Sequence, residues 1–116
     1  MTIRAAPRFE LFPITFDGRR VGLVRTPAAG VRDEWELHAH DDELLYLVSG
    51  STDVVLRDDP DDPAGERLLT LRGADACVVP RGAWHRQIVH EPSVLMFASP
   101  ESVHRPYVPE DGWDDG

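Results

Sequence analysis

Apolar runs in this chain are short, and glycine, proline and aspartate cut them off so often that no substantial helix has room to form. Runs rich in Val, Ile, Leu, Phe and Trp occupy 9–16, 20–26, 34–39, 43–49, 52–57, 66–71, 76–80, 84–90 and 94–98, and none sustains a 3.6-residue period. Turn chemistry separates them at Asp17-Gly18, at Gly50-Ser51, across the acidic stretch 58–65, at Gly73 and at Pro80-Arg81-Gly82. The pattern predicts an all-β protein. Strands so short and closely spaced close most economically into a barrel or jelly roll, because closure removes exposed strand edges.

With 116 residues the chain is the size of one domain with one core. The domain is expected to span 1–105, followed by an acidic tail over 106–116 that stays loose unless Tyr107 or Trp113 packs down. Charge narrows the partners. A net charge of -9, from 21 acidic and 12 basic side chains, argues against nucleic acid and anionic membrane surfaces. No apolar run approaches the roughly 18 residues of a membrane span, and the N-terminus has no signal-like apolar segment. The single cysteine, Cys77, lies among Ala76, Val78 and Val79 and reads as a strand position, which fits a reducing, cytoplasmic setting.

Two segments carry chemistry. In the first, Trp35-Glu-Leu-His-Ala-His-Asp-Asp-Glu43, strand alternation points Glu36, His38 and His40 to one face. Glu43 then opens the next strand, with Leu45 and Leu47 on its side of the sheet. In the second, Pro80 and Gly82 make a tight turn that delivers His85 at the start of a strand, with Gln87 on the same face. Imidazole and carboxylate donors from distant parts of the sequence are a metal-competent set, open to Fe, Mn, Ni, Co, Cu or Zn. Other candidates read more plainly. His90 and His104 are expected on the surface and in the tail, Trp35 and Trp84 in the core or a subunit contact, and the acidic loop as a solvated connection.

These residues resemble the cupins, whose paired motifs run roughly G-x5-H-x-H-x(3,4)-E-x6-G and G-x5-P-x-G-x2-H-x3-N. The likeness covers about Gly30 to Pro100. Pro80, Gly82 and His85 match the second motif, Glu43 and Gly50 match the end of the first, Ala74 stands where a glycine is expected, and Val89 replaces the final Asn. The first motif admits two registers. One gives Glu36, His38, Glu43 and His85; the other gives His38, His40, Glu43 and His85. The resemblance implies a double-stranded β-helix holding one divalent metal ion, a cavity walled by Leu45, Leu47 and alternate residues of 93–98, and Gln87 as a hydrogen-bonding residue beside it. It also implies a homodimer, for which the apolar stretch 9–16 is the candidate cover. The functions it allows are a small metalloenzyme, of dioxygenase or isomerase/lyase type, acting on a small oxygenated metabolite; a non-catalytic metal- or ligand-binding module; and a metal-free barrel in which His38 or His85 is a general base.

Overall fold

The computed structural model describes residues 7–107, and every regular element within them is a β-strand. In chain order these are β1 (Arg8–Phe16), β2 (Arg19–Thr26), β3 (Gly30–Val31), β4 (Glu34–Leu37), β5 (Glu43–Arg57), β6 (Arg67–Arg72), β7 (Ala76–Val79), β8 (Trp84–Ser99) and β9 (Val103–Pro106). All the pairings between them are antiparallel. The all-β jelly roll expected from the sequence is the fold observed.

Two long strands organise the barrel. The first half of β5 pairs with β7 and with the second half of β8, which continues through β2 to β1. The second half of β5 pairs with β6 and with the first half of β8, which continues through β4 to β9. Each long strand therefore belongs to both walls. Sequence reading splits each of them in two, at Gly50-Ser51 and at 91–93, and the structure corrects this. Gly50 is no hairpin turn: it sits at φ +101° inside β5, where the register with β8 shifts between Ser49 and Ser51. A Cβ there would strike Ser93 and the Pro92 carbonyl, so glycine lets the strands cross closely as they change walls.

Turn chemistry elsewhere does what the sequence implies. Asp17 and Gly18 both have positive φ, as a two-residue hairpin between Phe16 and Arg19 requires. Ala74, in the glycine position of the motif, adopts φ +71°, a left-handed conformation that costs an alanine about 1 kcal/mol. Bonds from Ala74 N to the Leu47 carbonyl (2.7 Å) and from Leu47 N to the Asp75 carbonyl (2.8 Å) hold it there.

The core lies between the walls and includes Val24, Leu45, Leu47, Val54, Leu71, Val79 and Leu95. Leu47 is fully buried, and burying such a side chain contributes roughly 1.5–3 kcal/mol. Trp35 packs on the opposite side of β4, between the guanidinium groups of Arg57 (5.2 Å) and Arg86 (5.3 Å) and near the Tyr107 ring at 6.3 Å. Tyr107 N also bonds the Asp33 carbonyl at 2.8 Å, so the chain is fastened at least that far. The rest of the expected tail, with Trp113, lies outside the described residues.

Candidate metal centre

Three strands bring the chemistry together. Glu36 on β4 is the register partner of His85 on β8, and Glu43 opens β5 beside them. His38 lies one residue past the end of β4, where its carbonyl accepts a bond from Gly82 N at 2.8 Å. Asp42 accepts one from Arg81 N, also at 2.8 Å. The Pro80–Gly82 turn of one segment is thus tied to the loop of the other, which brings the His38 and His85 rings to a centroid distance of 5.1 Å, tilted by 31°.

Ligand-competent atoms of Glu36, His38, Glu43 and His85 all fall within 4.8 Å of one another. His38 Nε2 is 3.2 Å from Glu36 Oε1 and 3.3 Å from Glu43 Oε2. His85 Nε2 is 3.2 Å from Glu36 Oε1 and 3.1 Å from Glu43 Oε1. The other nitrogen of each ring faces backbone: His38 Nδ1 lies 3.1 Å from the Glu101 carbonyl, and His85 Nδ1 lies 3.5 Å from that of Ala83. A proton on Nδ1 donated to those carbonyls leaves both Nε2 lone pairs directed at one point. His38 Nε2 is buried and makes no aligned hydrogen bond despite its two carboxylate neighbours. Such an orphan fits a donor set shaped for an ion.

Burial grades the four. His38, Glu43 and His85 are buried, and Glu36 is partly open. The Ser99 hydroxyl donates to Glu43, fixing its carboxylate. Burial alone pulls both imidazole pKa values down, but the adjacent carboxylates of Glu36 and Glu43 outweigh it, raising His38 to about 10 and His85 to about 9. Burial in turn pushes the carboxyl groups up, and the two imidazoles outweigh it, holding Glu36 and Glu43 below the usual carboxylate range. Without an ion the cluster is therefore a set of two imidazolium–carboxylate pairs.

The cluster opens on a cavity of about 770 Å³ whose apolar wall includes Phe9, Leu45, Leu95 and Phe97. Of the residues read as pocket wall, Leu45 and Gln87 line it, and Leu47 lies in the core instead. His40 is not brought into the cluster. β4 ends at Leu37, alternation lapses with it, and His40 stands exposed in the bend that follows. His90 bonds Asp53 at 2.7 Å, away from the cavity. Burial, then the Glu43 charge, pushes the Cys77 thiol up to about 11, in keeping with an unreactive strand residue.

Sequence reading missed four contributors: Ser99, the Glu101 carbonyl, Arg32 and His104. His104 reads from sequence as a surface or tail histidine, yet on β9 it is the register partner of Glu36, with Nε2 3.6 Å from Glu36 Oε2, and it lines the cavity. Extending the alternation of Leu95 and Phe97 by one step would have found Ser99; no local signal marks β9.

No protein-family model matches this chain, and no curated protein matches it in sequence. Solved structures do. A cupin-2 domain containing protein from Shewanella frigidimarina superposes with a TM-score of 0.58 at 22% identity, over 84% of this chain and 81% of that one. Hydroquinone 1,2-dioxygenase from Sphingomonas sp. TTNP3, solved with 4-hydroxybenzoate bound, gives 0.63 at 22%, over 84% and 68%. The hydroquinone 1,2-dioxygenase PnpCD, solved with Cd2+ and 4-hydroxybenzonitrile, gives 0.57 at 19%, over 76% and 61%. The fold is that of a small cupin, and its barrel carries a group of four side chains able to hold a metal ion.

Proposed function

We propose that this chain is a metal-binding cupin in which Glu36, His38, Glu43 and His85 hold one divalent ion, and that it works as a small metalloenzyme of dioxygenase or isomerase/lyase type on a small oxygenated metabolite inside the barrel. The observation that carries the reading is the pair of imidazoles with Nδ1 turned to backbone carbonyls and Nε2 turned to a common point between two carboxylates. Donors of this kind suit Fe, Mn, Ni, Co, Cu or Zn. Such an ion supplies Lewis acidity toward a substrate oxygen and, where it is redox-active, access to dioxygen chemistry. The protein's part is to orient and to exclude water: Ser99 holds Glu43, Gln87 stands on the cavity wall, and Phe9, Leu45, Leu95 and Phe97 surround the substrate's carbon skeleton. That two neighbours in fold are dioxygenases, one with Cd2+, supports the same reading.

Protein purified without added metal should contain close to one ion per chain. Glu36→Gln should lower metal affinity about tenfold or more, and His40→Gln should leave it unchanged. The opposite ranking would put His40 in the ligand set, and a wild type without metal would end the proposal.

We infer in addition that the barrel works as a homodimer covered through β1. Phe9, Leu11, Ile14 and Phe16 of this edge strand are 63%, 56%, 59% and 66% exposed, a concentration of apolar surface that a partner's sheet would bury. Light scattering at micromolar concentration should give twice the chain mass, and a monomer there would remove the idea.

A further inference from the structure

Two residues that line the cavity carry hydrogen-bond donors with nothing to hold. Arg32 lines it, and its guanidinium makes no hydrogen bond or ion pair among the described residues; its one close partner is the face of Phe9, 5.7 Å away. Its nearest acids in electrostatic terms are Glu36, Asp33 and Glu34, none within ion-pair distance. Gln87 lines the same cavity, and its Nε2 amide nitrogen is buried without a hydrogen-bond partner. A buried donor left unpaired is costly, and the cost disappears when a ligand oxygen meets it.

The fold sets these two donors side by side. Val31 is the register partner of Ile88, and the ladder continues with Arg32 N bonding the Gln87 carbonyl at 3.1 Å. Residues directly opposite on antiparallel strands share a face, so both side chains stand on the inner wall. Gln87 is two residues beyond His85 on β8, a rise of about 7 Å along the strand. The donor pair and the metal centre therefore stand on one wall, separated by the length of a small organic molecule.

We propose that Arg32 and Gln87 form an anion anchor, and that the ligand of this barrel is a small organic acid whose carboxylate they hold while an oxygen at its far end reaches the Glu36, His38, Glu43 and His85 centre. For that orientation the proposal rests on the metal reading above. Guanidinium and amide suit a carboxylate: the planar fork meets both of its oxygens, and the amide adds a third donor. Phe9, Phe97, Leu45 and Leu95 enclose the skeleton between the two ends. Long-range attraction cannot account for anion preference here, because the chain carries a net charge of -9 and its field repels an anion. Any such preference must come from local donors.

Calorimetry on the metal-free full chain, with benzoate and its neutral isostere benzamide as probes, tests the anchor without the metal. Wild type should bind benzoate at least about tenfold more tightly than benzamide, the range of a charge-assisted hydrogen bond. Arg32→Gln should bring the ratio close to one by weakening benzoate alone, and Gln87→Leu should reduce it part of the way. Equal affinities, no binding of either probe, a preference that survives Arg32→Gln, or one abolished by changing the exposed mouth residue Arg20 to Gln instead would each overturn the proposal. Metal content of the wild type as purified, before the ion is stripped, separates the two readings: a wild type that prefers benzoate but never holds metal refutes the metal centre and leaves the anchor standing.

Discussion

Replacing His38 or His85 with alanine should lower metal affinity by more than about 100-fold in each case. Residues that merely support a ligand already cost 10–100-fold when changed, and these two supply donor atoms. Glu43→Gln should fall in the same class and exceed Glu36→Gln, since the Glu43 carboxylate is buried and fixed by Ser99 whereas Glu36 is partly open to solvent. Competition against a chelator of known affinity reads all four. A purely structural role for the imidazoles is separated by stability. With His38 gone, the metal-free cluster keeps two carboxylates against one imidazolium, and leaving a buried charge unpaired costs on the order of 3 kcal/mol. Adding Glu36→Gln to His38→Ala restores charge balance, so the double variant should regain part of the lost thermal stability and none of the metal affinity. Recovery of metal binding together with stability would mean that His38 supports the fold and is not a ligand.

How much of this was legible depends on whether local chemistry or tertiary contact decides a position. The Pro80-Arg81-Gly82 turn is written in its own residues, Gly82 taking φ +81°, so the placement of His85 could be read directly. His38 and Glu43 were common to both registers of the first motif. The choice between Glu36 and His40 was not open to sequence reading, because alternation holds only while a strand lasts. β4 ends at Leu37, where Gly82 N and Arg81 N tie the following loop to the neighbouring turn. Gly50 misled for a related reason: glycine serves a hairpin turn and an internal bulge equally well, and only the crossing with Ser93 distinguishes them. Leu47 is fully buried in the core cluster and does not line the cavity. Arg32 follows the two-residue strand Gly30–Val31, too short to leave a pattern, and becomes a cavity residue only through its pairing with β8. Local turn chemistry and the paired motifs were therefore readable, and the positions set by where a strand ends, crosses or pairs were not.

Metal affinity should climb steeply with pH, by up to about 100-fold per unit between pH 6 and 8.5, because His38 and His85 must each lose a proton before Nε2 can bind an ion. The sign follows from the direction of the shifts. Both imidazoles titrate above their ordinary value, at about 10 and about 9, so the stability they lend the metal-free fold is complete below about pH 6.5 and drains away as pH rises through those values. Glu36 and Glu43 are shifted down, so their contribution is present above about pH 4.5 and is lost as pH falls. Metal-free protein should accordingly be most stable between about pH 4.5 and 6.5 and lose on the order of 10 °C in Tm by pH 9.5. Metal reverses the alkaline limb, because an ion takes over the attraction that the departing protons supplied. The stabilisation it confers should therefore be small at pH 6 and largest near pH 9. Titration calorimetry in two buffers of different ionisation enthalpy should register proton release from both rings at neutral pH. Affinity independent of pH over this range, with no proton release, would mean that the ion binds elsewhere and that the imidazolium–carboxylate cluster stays intact beneath it.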